Sequence, residues 1–201
     1  METHNPARIT EGESSNSLPW WTWVAPLFIQ LSGRFLSTLV TISPGVYLFY
    51  FPYITGVPMA LWWGPRVFIA VFIASAVGAH LAGVGGALTF FLAFSETSKV
   101  AMGWAMWWLL KFHKRDLRGT RQLFLCWLSC FALPNIFGSY AVVAVLTLQG
   151  VYPQNTFWFQ YLKVSLIDTA MGLFISFPLF IFLNHIFVQK GWSQWKKSPF
   201  H

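Results

Sequence analysis

The stretch Phe157–Phe187, FWFQYLKVSLIDTAMGLFISFPLFIFLNHIF, decides the class of fold. Only Lys163 and Asp168 in it are fully charged, and one bilayer crossing needs roughly 20 mostly apolar residues. A chain in hydrocarbon must satisfy its backbone polar groups internally, so the segment is predicted to be a helix, with Pro178 near its inner third. Working back from it, Gln149–Asn155 reads as a short uncharged loop and 122–148 as another helix, with a kink expected at Pro134. A basic run, Lys111–Arg121, separates that helix from one over 88–110. Before it come the glycine cluster Gly83–Gly86, a helix over 66–82, and a segment 46–63 interrupted by Pro52, Gly56 and Pro58. The first helix is placed at 20–43, ending at Ser43-Pro44-Gly45. The expected architecture is therefore an all-α, polytopic integral membrane bundle of about six transmembrane helices, the second short or broken.

Composition agrees with this reading. Of 201 residues, 56% are apolar, 19% aromatic and 9% charged, against about 25% charged in soluble domains. Disorder of the whole chain and fibrous structure are excluded by the same figures. The polar residues 1–18 form an expected disordered cytoplasmic tail, residues 19–188 the membrane domain, and 189–201 a basic tail or linker. Without a basic start or a small-residue cleavage site, the N-terminal stretch is not expected to be a signal peptide.

Thirteen Lys and Arg against six Asp and Glu give a net charge of +7. With six crossings, ten of those thirteen basic residues fall on one face, and the loops around 44–52, 83–87 and 149–156 contain none. Positive residues mark the cytoplasmic side, so both termini are predicted cytoplasmic, in a bacterial inner membrane whose anionic lipid the basic face meets. That assignment removes the case for a nucleic-acid partner. Trp20, Trp21, Trp23, Trp62, Trp63, Trp107, Trp108, Trp192 and Trp195 are expected at the inner interface.

The remaining charges lie within the spans: Arg34, Glu96, Lys99, Lys163 and Asp168, together with His80. Charges at such depth face a bundle interior or a water-filled cavity. A rise of about 1.5 Å per residue puts all six in the outer half or at the midplane. Glu96 and Lys99, three apart, can pair on one helix face; Lys163 and Asp168, five apart, look to other helices. These groups either neutralise one another or line a polar cavity. Three cations against two acids leave one positive charge over, which favours an anionic or carboxylate-bearing ligand. Arg34, His80, Glu96, Lys99, Lys163 and Asp168 are thus the candidate ligand-binding residues.

Other chemistry is thinly supported. Cys126 and Cys130 share a helix face without the further ligands of a metal site. Gly78, Gly83, Gly86, Gly103 and Gly172, with their small neighbours, read as points of close helix packing. No phosphate-cradling loop is written in the chain, no Ser–His–Asp or Cys–His set can be argued, and His113 and Asp116 read as solvated loop residues. No metal, cofactor or catalytic group is expected.

The segment Phe51-Pro52-Tyr53-Ile54-Thr55-Gly56-Val57-Pro58-Met59-Ala60-Leu61-Trp62-Trp63-Gly64-Pro65-Arg66 resembles the membrane-associated sensor domains of the MASE type, first class. Pro52, Gly64 and Arg66 match that pattern, and Gly56 is displaced by one position. Ala79-His80 stands where the family has Ala-Asn, and Glu96–Lys99 resembles its next polar cluster. Asp168, Gly172 and Pro178 resemble its Gly-Asp-x-x-Gly run and later proline, with Ile167 in place of the first glycine and one extra residue before Gly172. The resemblance covers about 30–187 and implies a sensory module that binds a small molecule. It further implies a helix shift relayed along the sixth helix to a kinase or cyclase output, fused or separate, and is compatible with a homodimer. The six-helix plan at this length is also similar to the substrate-binding membrane subunits of energy-coupling-factor transporters.

Overall fold

The computed structural model describes residues 18–39, 41–43, 46–47, 50–112 and 117–195. The expected N-terminal tail lies almost wholly outside the described residues, as do His113, Asp116 and residues 196–201. The described chain is a helical bundle with one two-residue-deep β ribbon. Helix α1 is Trp21–Thr38, α2 Phe51–Trp63, α3 Arg66–Leu81 and α4 Gly86–Leu109. Helix α5 is Thr120–Leu148 and α6 Gln154–Gln189; these two are long and apolar enough to cross a membrane.

One expected boundary is wrong. The first helix stops at Thr38 rather than at 43, and Thr41–Ser43 (β1) pairs antiparallel with Val46–Tyr47 (β2). Thr41 and Ile42 are β-branched and precede Pro44-Gly45, so the local sequence carries strand and turn propensities that a hydropathy reading passes over.

Helix α2 is continuous despite its prolines. Pro52 sits in its first turn, where an N–H would have no helical acceptor in any case. Pro58 is inside the helix and cannot donate to the carbonyl of Ile54. The Ser176 hydroxyl supplies the missing donor, at 2.8 Å. Eleven of the thirteen residues of α2 are buried, so this short helix is the axis of the bundle, apolar all round because it is enclosed all round.

Helices α5 and α6 each contain one π-helical turn, Leu128–Ala132 and Gly172–Ser176. Each turn lies just ahead of a proline, Pro134 and Pro178. A proline ring collides with the carbonyl four residues back, and widening the preceding turn takes up that collision. Both π turns grip α2. Tyr53 donates its hydroxyl to the Phe131 carbonyl in one, and Ser176 belongs to the other. Gly103 of α4 admits the Cys130 carbonyl, which a side chain there would overlap, so close approach is the role of this glycine, as expected.

Two apolar clusters make the core. The larger surrounds α2 and includes Trp62, Trp63, Trp107, Phe131, Phe180 and Trp195. Trp62, Trp63, Trp107 and Trp195 are at most 8% exposed, so these four are interior packing rather than the interfacial anchors expected; Trp20 and Trp23 are exposed. The smaller cluster, with Val84, Leu92, Val143, Leu146 and Val164, lies where α3 meets α4 and α5 meets α6.

After α6 the described residues up to Trp195 turn back onto the bundle. Gln194 donates its backbone N–H to the Trp62 carbonyl (2.8 Å) and its side-chain amide to the Leu61 carbonyl (2.7 Å). Those carbonyls belong to the last turn of α2, where a helix leaves acceptors unfilled. The Trp63 indole donates to the Trp192 carbonyl (2.9 Å), and the indoles of Trp62 and Trp195 share the buried Asn184 oxygen. We refer to this segment as the clasp.

Candidate ligand cavity

A cavity of about 320 Å³ opens among α1, α3, α4, α5 and α6 beside the smaller apolar cluster. Its polar lining is Arg34 from α1, Tyr50 just before α2, Glu96 and Lys99 from α4, and Asp168 from α6. The rest is aliphatic, including Leu92, Val142, Leu146 and Val164.

Lys99 is the centre of one polar wall. Its ammonium is 3.4 Å from Glu96 Oε1 and 3.5 Å from Asp168 Oδ2. The i, i+3 spacing brings Glu96 to the same face of α4, and α6 delivers Asp168 from across the cavity edge. Both separations exceed the roughly 2.7–2.9 Å of a tight charge-assisted bond. The Lys99 side chain is 1% exposed while each carboxylate side chain retains 9%, so the cation is set behind the acids. With its amide nitrogen toward Asp168, Asn135 of α5 donates to Oδ2 at 3.3 Å and its oxygen accepts from the Thr169 N–H at 3.2 Å. The Lys99 stem runs across Gly138 of α5, where an added Cβ would overlap it.

Arg34 is placed in the lining in a parallel way. Its stem lies across Gly78 of α3, where a Cβ would overlap it. Its guanidinium donates to the Tyr50 hydroxyl and lies 5.2 Å from the centre of that ring. Gly78 is therefore a slot for Arg34 rather than a point of helix packing.

Of the six expected residues, Arg34, Glu96, Lys99 and Asp168 meet in this cavity. His80 and Lys163 do not line it. His80 is exposed beside a shallow groove at the α3–α4 turn, one helical step beyond the buried Ala79 that does face inward. Lys163 is half-buried on α6 and is not among the residues that line the cavity. Among the described residues, two cations and two carboxylates line the cavity, formally balanced.

Tyr50, Asn135 and the two glycine slots escape a reading based on charge. A polar Asn135 directly after Pro134 in an apolar helix was the available signal.

Gly64, Arg66 and Gly172 have visible local roles. Gly64 adopts φ +77° between α2 and α3, a conformation that favours glycine. Arg66 donates to the Thr22 hydroxyl at 2.7 Å and lies over the Trp23 ring, tying α3 to α1. Gly172 opens the π turn of α6 beside Tyr53. Cys126 and Cys130 are buried free thiols, and among the described residues no group of three or more His, Cys, Asp or Glu is placed to hold a metal ion. The arrangement can bind and orient a polar molecule against aliphatic walls. No protein-family model, curated protein or solved structure matches the chain.

Proposed function

We propose that the chain is a six-span integral membrane sensory domain of a bacterial inner membrane, with both termini cytoplasmic. A small ligand enters the cavity between Arg34 and the Lys99 cluster, in the outer half of the bundle. The observation that carries this reading is the cavity itself, which four helix-borne charges and Tyr50 line within an otherwise aliphatic wall. Support for the membrane comes from an inverted polarity. Gln30, Lys99, Asn135, Asp168 and Asn184 are buried, while Phe28, Phe90, Phe94, Phe159, Phe174 and Phe182 are exposed. Lipid solvates such an exterior, and water does not.

The relay runs through α2 as well as α6. Tyr50 lines the cavity just ahead of α2, and the far end of α2 holds the clasp. A ligand that prefers one position of Tyr50 and Asp168 biases both helices by its differential affinity. The output, a kinase or cyclase, acts as a fused or separate partner.

A chimera carrying a histidine-kinase output after His201 tests this. Its output should change with ligand, Arg34→Ala should abolish the change at unaltered abundance, and Lys163→Ala should retain it. Uptake of labelled ligand that requires an ATPase partner, with no change of output, would establish the energy-coupling-factor type of transport subunit instead.

A further inference from the structure

We propose that the ligand of this cavity is a small zwitterion, with a carboxylate or similar anion at one end, a protonated amine at the other and a short aliphatic body. The inference rests on reading the cavity as a ligand site and adds the chemical class of its occupant.

The two polar walls differ in sign. Arg34 and Tyr50 present a cation and a hydroxyl on the cavity lining, and the guanidinium donates to that hydroxyl. The other polar part of the lining holds two carboxylates around one enclosed ammonium, a cluster of net −1 whose more exposed members are the acids. Lys99 engages one oxygen of each acid at 3.4 and 3.5 Å, leaving acceptor capacity for a second ammonium. The two groups rest on separate helices: Arg34 lies over α3 at Gly78 and Lys99 over α5 at Gly138.

A simple anion would satisfy Arg34 while facing two carboxylates, and a simple cation would meet the converse repulsion. Only a molecule bearing both charges meets attraction at each end and leaves the balanced cavity neutral. Size agrees: at roughly 30 Å³ per water-sized group, about 320 Å³ accepts on the order of ten non-hydrogen atoms, the scale of an amino acid. Leu92, Val142, Leu146 and Val164 suit an aliphatic side chain.

The test uses the full chain purified into lipid nanodiscs and titrated calorimetrically with the common L-amino acids. Each amino acid that binds is compared with its deaminated acid and its decarboxylated amine, for instance L-leucine with 4-methylpentanoate and 3-methylbutylamine. The expected result is binding of at least one amino acid, with both counterparts weaker by about 10- to 100-fold. Asp168→Asn should weaken the amino acid far more than the deaminated acid, and Arg34→Gln the reverse set. The wild-type comparison keeps the test decisive if either variant does not fold. Equal binding of a plain acid or amine overturns the zwitterion and leaves the ligand site standing; binding by none of the three classes overturns both.

Discussion

At Gly78 and Gly138 the absence of a side chain decides where two charges go. Glycine to alanine inside a helix ordinarily stabilises by roughly 0.4–1 kcal/mol. Here a methyl group would strike the stem of Arg34 or of Lys99, which runs over the helix backbone. Gly78→Ala and Gly138→Ala are therefore expected to destabilise by about 1–3 kcal/mol in thermal unfolding in detergent. Gly85→Ala, with nothing within 4 Å of the added carbon and φ −95°, should be near neutral. At this scale the sequence was legible in part. Charge inside an apolar span announced Arg34, Glu96, Lys99 and Asp168. It also nominated His80 and Lys163, because hydropathy gives depth along a helix and says little about azimuth. A shift of one residue, from Ala79 to His80, rotates a side chain by about 100° and out of the cavity.

Among the elements, α2 shows how a proline-bearing helix stays whole. The Ile54 carbonyl that Pro58 leaves without a helical donor is served by Ser176, from a turn whose own geometry is set by Pro178. Ser176→Ala should cost about 1–3 kcal/mol, the penalty of a buried acceptor left unfilled. In a Pro58→Ala background the new N–H can serve Ile54 itself, so the Ser176→Ala penalty should shrink. A double-mutant cycle in chemical unfolding should give a coupling of about 1 kcal/mol or more; strict additivity would refute the link. The segment 46–63 reads as broken from Pro52, Gly56 and Pro58 alone. Its continuity depends on a hydroxyl 122 positions away in sequence, which no local pattern reports. The same holds for the ribbon at Thr41–Ser43, where general apolar character hid a short strand signal.

For the whole molecule, the six helices were predictable because hydrophobic length and the breakers between segments are strong signals. The clasp was not, since a polar, tryptophan-bearing tail after the last helix reads equally well as an interfacial anchor. Its hydrogen bonds fill the end of α2, and Trp195 is 8% exposed. Ending the chain after Gln189 should lower stability by roughly 4–8 kcal/mol, from the loss of four hydrogen bonds and one buried indole. Tryptophan emission should move to longer wavelength as Trp62 and Trp63 lose their cover; an unchanged spectrum and melting point would show that the segment contributes nothing.

The clasp also gives the bundle a direction of mechanical strength. Tension applied at the C-terminus first loads Gln194 and Trp192, and through them the end of α2 near Gly64, before it can peel α6 from its neighbours. The pull then passes along the central helix, about 20 Å at 1.5 Å per residue, to Tyr50. In force spectroscopy, pulling from the C-terminus should therefore open with a single rupture of the clasp. The same rupture should shift when Arg34 is held against Tyr50, because one rod joins the two.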